Sequence, residues 1–252
     1  MINPHLHNPH LPGDEFFWPG GPTGILLCHG FTATTAVVRP LGKLLAEAGY
    51  SVAGPLLPGH NTSPQDLNRV HWQDWVQAFD QMYQRLLSSC QQVVLGGEST
   101  GALLALHCAI RDPRPAAILA YAPALRLAIS PLHKLLLYAL APFRSSMPKP
   151  NMQDGTPWQG YAVNPLKATI QLLKLQKQVD PYLHHIHQPV LIVQGRQDAT
   201  VHPGVPERIA TRSSSEIKEV HWMENSPHTV IVNRELDEVA RITLKFLSRL
   251  QL

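Results

Sequence analysis

Charge is scarce in this chain: Asp, Glu, Lys and Arg make up only 15% of its 252 residues, and 21 basic against 18 acidic residues leave a formal charge of +3. No run of Lys or Arg occurs, and aromatic residues do not interleave with basic ones, so a nucleic-acid surface has no support. Cysteine is scarcer still. Cys28, Cys90 and Cys108 are odd in number and lack metal-ligand spacing, which argues against a disulfide framework and a cysteine-based metal site. They are expected to be buried free thiols, which fits a reducing compartment and predicts a cytoplasmic location. No window of 18 or more residues is continuously apolar, so no transmembrane segment is predicted. The stretch Met1-Ile2-Asn3-Pro4-His5-Leu6-His7 has neither a basic region nor an apolar one, so no signal peptide is predicted. Internal repeats and low-complexity linkers are also missing.

Apolar residues, at 44%, are plentiful. A domain of this length buries about three quarters of the surface its unfolded chain exposes, so it needs no metal or disulfide to hold a core. The pattern is strand, helix, strand. Gly24–Cys28, Tyr50–Ala53, the β-branched run that starts at Gln92 and leads into Gly97-Glu98-Ser99-Thr100-Gly101, Ala116–Tyr121 and Pro189–Gln194 are short apolar runs of buried-strand type. Arg39–Ala48 and Trp72–Leu87 carry apolar residues at helical spacing. The helix after Glu98 is apolar almost all round and ends near Ile110, before Asp112-Pro113. Ile217–Val220 is predicted as an edge strand, and a terminal helix begins at Arg234. Alternation of this kind predicts an α/β fold: a mostly parallel central sheet with helices on both faces, in one domain spanning residues 1–252. Residues 1–14 are expected to be poorly ordered, with an edge strand at Phe16–Trp18. Between residues 124 and 182 the alternation breaks into a greasy helix (Pro131–Leu140), a Pro-rich loop and a second helix (Leu166–Val179). An insertion there is expected to cap the strand ends.

Chemistry concentrates in Gly97-Glu98-Ser99-Thr100-Gly101. A bare Gly-x-Ser-x-Gly arises by chance in on the order of one chain in ten of this length. Here it joins a β-branched run to a helical one, the strand–turn–helix setting that holds a serine hydroxyl out at a sharp turn. A serine hydroxyl is a weak nucleophile and needs an imidazole to take its proton, with a carboxylate behind to fix the ring. In chain order the acid should follow a late strand and the base should precede the final helix. Asp198 and His228 stand in those places. Asp112, Asp154 and Asp180, and the histidines His184, His185, His187 and His221, are less well placed. A three-histidine metal site at 184–187 is a minor alternative. The tetrahedral intermediate needs two donors for its oxygen anion, expected from the backbone N–H groups of Phe31 and Thr100. His29 is expected to shape its loop rather than act as a base.

Six segments carry a family resemblance: Leu27-Cys28-His29-Gly30-Phe31-Thr32, Leu57-Pro58-Gly59-His60, Trp72-Gln73-Asp74-Trp75, Gly97–Gly101, Gly195-Arg196-Gln197-Asp198 and Asn225-Ser226-Pro227-His228. The chain resembles the bacterial carboxylesterase and monoacylglycerol-lipase-like serine hydrolases of the α/β-hydrolase superfamily. The resemblance runs from about Phe16 onward and is weakest in the insertion. It implies a Ser99–His228–Asp198 triad, an oxyanion hole at Phe31 and Thr100, no cofactor and no metal. Glu98 and Thr100 depart from the bulkier residues common in the elbow, and Pro227 replaces a common Gly. The expected activity is hydrolysis, through an acyl-enzyme, of short- to medium-chain acyl esters or monoacylglycerols. Leu135, Leu136 and Tyr138 are expected to line the acyl pocket. A thioesterase, carbon–carbon hydrolase or acyltransferase could use the same triad, and a non-catalytic binding protein the same fold. A haloalkane dehalogenase is disfavoured because its elbow would carry a carboxylate. The expected partner is a small-molecule ester, and the sequence says nothing of oligomeric state.

Overall fold

A computed structural model describes residues 3–149 and 157–252. In chain order it contains β1 (Leu6–His7), β2 (Phe16–Trp18), β3 (Thr23–Cys28), α1 (Arg39–Glu47), β4 (Ser51–Gly54), α2 (Pro64–Leu67), α3 (Trp72–Ser89), β5 (Gln92–Glu98), α4 (Thr100–Arg111) and β6 (Ala117–Tyr121). It continues through α5 (Pro131–Leu140), β7 (Ser146–Pro148), β8 (Gly160–Tyr161), β9 (Val163–Pro165), α6 (Leu166–Val179), β10 (Val190–Gly195), α7 (Val205–Arg212), β11 (Lys218–Met223) and α8 (Leu236–Arg249).

Seven strands form one sheet in the order β11-β10-β6-β5-β3-β4-β2. Every neighbouring pair is parallel except β2 with β4, as predicted for a mostly parallel sheet. The central strands are apolar without alternation because both faces are covered. On one face Trp75 and Phe79 of α3, Leu103 and Leu106 of α4 and Leu172 and Leu175 of α6 share a core with Leu26, Leu95 and Ile192. On the other, Leu41 and Leu45 of α1 and Val239 and Phe246 of α8 pack on Ile25, Val94 and Leu191. Helix α4 lies between sheet and outer helices, which is why its apolar residues occupy every side.

The connection order creates the crevice. From β3 the chain moves outward to β4, then crosses back to lay β5 on the other flank of β3. Loops leaving the carboxyl ends of β3 and β5 therefore diverge, and open parallel sheets take their ligands at such a reversal. Gly30–Thr32 leaves one strand there and Ser99 leaves the other.

Several expectations need correction. The N-terminal stretch is tied down rather than loose over its described residues. Leu6 pairs with Tyr161 across β1 and β8, Asn3 Nδ2 donates to the carbonyls of Asn61 and Thr62, and Gln159 Nε2 donates to those of Asn8 and Leu11. These anchors are a two-residue strand pairing and side-chain amides acting at long range, which no periodicity announces. The Pro-rich loop from 142 to 165 holds β7, β8 and β9, and β7 pairs antiparallel with β9. His221 lies inside β11 rather than after it, with its Nε2 2.9 Å from Glu219 Oε2.

Candidate active site

Ser99 adopts φ +57° and ψ −110° between β5 and α4. A non-glycine residue in that region stores about 1–3 kcal/mol, retained only where neighbours enforce it. Here the Ser99 N–H donates to the Tyr121 carbonyl (2.8 Å), and the Ser99 carbonyl accepts from Ala124 N–H and Leu103 N–H (3.1 Å each). The flanking glycines are dictated by the carboxyl end of β3. A Cβ on Gly97 would lie 2.5 Å from the Cys28 carbonyl oxygen, and one on Gly101 would run into the same atom. Sheet backbone and elbow meet with no room for a side chain between them.

His228 Nε2 lies 2.9 Å from Ser99 Oγ, and His228 Nδ1 lies 2.8 Å from Asp198 Oδ2. A carboxylate can only accept, so Nδ1 carries the proton and Nε2 is left as an acceptor for the serine O–H. Asp198 is itself fixed by four donors. Oδ1 accepts from Thr200 N–H (2.7 Å) and Val201 N–H (3.0 Å), while Oδ2 accepts from Gln194 Nε2 (2.6 Å) as well as from His228. Burial pushes the Asp198 carboxyl up, but His228 and the backbone donors outweigh it and hold the group below its ordinary value. Burial likewise pushes the His228 imidazole down, and Asp198 overcomes it, leaving His228 above its ordinary value. Gln194, near the end of β10, was not anticipated from sequence. Its signal there is a lone amide closing an otherwise apolar strand.

Around the oxyanion side, the loop after β3 presses against the nucleophile: a Cβ on Gly30 would sit 3.2 Å from Ser99 Cβ. Two buried histidines brace this loop. His29 Nδ1 donates to the Gly30 carbonyl (2.9 Å) while its Nε2 accepts from Leu57 N–H (3.1 Å). His60 Nε2 accepts from Thr32 N–H (3.1 Å), its Nδ1 facing the Leu57 and Pro58 carbonyls at 3.2 Å. Both act as acceptors because burial lowers their affinity for a second proton, to about 4 for His29 and well below 6.5 for His60. His29 thus shapes its loop. With Thr32 engaged, the Phe31 N–H has no acceptor among the described residues, and the Thr100 N–H, first in its helix, has none either. Among the described residues the two are unengaged donors, one on the loop after β3 and one at the first residue of α4 beside Ser99.

Glu98 is the unexpected group. It is 2% exposed beneath the His228 loop, with Oε1 3.4 Å from Ile231 N–H. Burial raises its carboxyl to about 7, against the pull of His228 and the Ile231 and Val230 N–H groups and with a push from Asp198. An acid whose folded pKa is raised binds more protons folded than unfolded between pH 4.5 and 7, so its contribution to stability falls as pH rises through that window. Glu98→Gln should remove the slope. Measured by urea unfolding at pH 5 and pH 8, the variant should gain about 2.5 kcal/mol on the wild type between the two, and a constant difference would refute the burial argument.

Other expected residues fall elsewhere. Leu135 and Leu136 are 67% and 44% exposed, and Tyr138 opens on a cleft of about 460 Å³ lined by Arg126, Lys134, Lys177 and Arg208. The acyl-pocket expectation for these three is therefore corrected: α5 packs through Leu137 and Ala141 against Leu166 and Leu173, and turns the others outward. Asp180 pairs with Arg208 and Asp112 with Arg114. The rings of His184 and His185 lie 4.2 Å apart, and no group of three or more potential metal ligands occurs among the described residues. Asp154 lies outside the described residues. Among those described, no helix is long and apolar enough to cross a membrane.

A strained serine between a parallel strand and a buried helix, facing an imidazole backed by a carboxylate, defines a serine hydrolase of the α/β-hydrolase class. The family model described as serine aminopeptidase, S33, matches residues 23–235, and the chain belongs to that family. It is 31% identical over 247 residues to a thermostable monoacylglycerol lipase of Bacillus sp. (strain H-257), covering 96% of this chain and 97% of the relative. It is 28% identical over 240 residues to a carboxylesterase of Bacillus subtilis (strain 168), covering 93% and 96%. Among solved structures, one from work on LipS and LipT, two metagenome-derived lipolytic enzymes, superposes with a TM-score of 0.88 at 30% identity, covering 95% of this chain and 99% of that one. The resemblance drawn from the motifs, to carboxylesterases and monoacylglycerol-lipase-like hydrolases, holds.

Proposed function

We propose that this protein hydrolyses carboxylic esters through an acyl-enzyme on Ser99, taking short- to medium-chain acyl esters and monoacylglycerols. The observation that carries the reading is the chain of hydrogen bonds from Asp198 through His228 to Ser99, at 2.8 and 2.9 Å. Ser99 Oγ attacks the ester carbonyl as His228 Nε2 takes its proton, and the Phe31 and Thr100 N–H groups receive the oxyanion. Collapse expels the alcohol, which leaves with the proton from His228. Water then attacks the acyl-enzyme, with the same imidazole as base, and releases the acid. Asp198 fixes the ring and stabilises the imidazolium. Residues 124–182 act as a cap through their β7–β9 portion. Gly160 bridges to Ala33, and the Gln159 carbonyl accepts from Thr34 N–H at 3.2 Å, beside the oxyanion loop.

The test is a chain-length series of nitrophenyl esters run beside monoacylglycerols and acyl thioesters. Butanoate to decanoate esters should exceed hexadecanoate in kcat/KM, and a fluorophosphonate should label Ser99 stoichiometrically. Faster turnover of thioesters than of matched esters would move the reaction class, and absence of labelling would remove the enzyme.

A further inference from the structure

One cation near the triad has no counter-ion among the described residues. Lys149, just after β7, directs its ammonium to the hydroxyl of Thr32 and lies 4.2 Å from the centroid of the Trp158 ring. Thr32 Oγ1 in turn donates to the Phe31 carbonyl at 2.5 Å, so the ammonium sits within about 8 Å of the Phe31 N–H. No carboxylate pairs with Lys149 among the described residues, and its charge is felt by both His60 and His228. An ammonium offers three donors, and only one has an acceptor among the described residues.

Such an arrangement is unfavourable in the empty protein. A half-buried charge without a partner loses hydration, and burial lowers this lysine to about 7. The same charge opposes the imidazolium that must form on His228 during the reaction, which costs rate on any neutral substrate. Both penalties vanish if the ligand brings an anion. A carboxylate or phosphate two or three bonds from the scissile ester would accept the free ammonium donors and cancel the field at His228. We propose that Lys149 is a specificity-determining residue that selects acyl esters carrying an anionic oxygen group close to the ester. This rests on the ester-hydrolase reading above and names the substrate class for that same site. Packing of Lys149 on Trp158 as a purely structural prop would not distinguish charged from neutral substrates.

The experiment compares one acyl chain on three alcohols: glycerol, glycerol 3-phosphate and a short hydroxy acid. The wild type should show kcat/KM at least about tenfold higher on one or both anionic esters than on the glycerol ester. The two anionic arms separate phosphate from carboxylate. Lys149→Met should bring the anionic-to-neutral ratio close to one, and Lys149→Arg should keep most of it. Should Lys149→Met fail to fold, the wild type alone decides. Glycerol 3-phosphate should inhibit hydrolysis of a neutral ester competitively at concentrations where glycerol does not. Equal rates on all three esters, equal losses on all three in Lys149→Met, or no inhibition by glycerol 3-phosphate would overturn the proposal. Hydrolysis of none of them, nitrophenyl esters included, would overturn the ester reading itself.

Discussion

Ser99→Ala should lower kcat on nitrophenyl esters by about 10⁶-fold, with fluorophosphonate labelling abolished and the fold unchanged. Both halves follow from the elbow. The substitution removes only Oγ, the atom 2.9 Å from His228 Nε2, so nothing remains to form the acyl-enzyme. The main-chain bonds that hold the strained turn, from Ser99 N–H to Tyr121 and from Ala124 and Leu103 to the Ser99 carbonyl, do not involve that atom. Alanine meets the same positive φ with no larger side chain, so the thermal midpoint should move little. Steady-state rates and a circular dichroism melt check the two statements separately. A loss below tenfold would place the nucleophile elsewhere.

Asp198→Asn should cost about 10⁴-fold in kcat, and the reason lies in the donor count. The carboxylate accepts from four donors, two on each oxygen. An amide offers one oxygen, and the pair of backbone N–H groups from Thr200 and Val201 cannot turn away, so that oxygen faces them. The amide nitrogen is then left facing His228 Nδ1 and Gln194. It donates to Nδ1, which shifts the ring proton to Nε2, where it points at the serine and cannot accept. Gln194 should rotate its side-chain amide in response, because its Oε1 has no partner in the wild type and can accept from the new NH2. A crystal structure of the variant would show the rotation, and proton NMR should lose the low-field signal of an imidazole N–H bonded to carboxylate. Retention of more than about a tenth of wild-type kcat would mean that Asp198 does not set the tautomer.

The catalytic geometry was legible in sequence because it is built from element junctions. Ser99, Asp198 and His228 each follow a strand or precede a helix whose pattern is unmistakable, and a parallel sheet sends strand ends to one edge. The same logic singled out Phe31 and Thr100, whose backbone N–H groups have no acceptor among the described residues and are the donors proposed for the oxyanion. What stayed hidden depends on side-chain direction or distant pairing. In α5, Leu132, Leu135, Leu136, Leu137 and Leu140 surround the helix, so the spacing names no inner face, and the packing of Leu137 on Leu173 decided it. Helix α7 and strands β7 to β9 are short and gain their conformation from neighbours. Glu98 stood out in sequence only as a departure within the elbow, and its burial and its tie to the Ile231 N–H are visible only in three dimensions. Lys149 had no sequence signal at all, since a lysine in a Pro-rich stretch reads as solvated.

The strap made by β1 bears on how the molecule is assembled. Asn8 Nδ2 reaches the Trp158 carbonyl across 150 residues of chain, and Leu6 lies opposite Tyr161, whose hydroxyl donates to Gly59 and accepts from Thr62. On a ribosome the strap emerges well before its berth, which does not exist until about 150 further residues have been made. Contacts that far apart in the chain carry the largest closure penalty and form after local ones. The strap is thus among the last elements to settle although it leaves the ribosome before the strand it pairs with, and a substitution that weakens the Asn8 or Leu6 contacts would burden that late docking step.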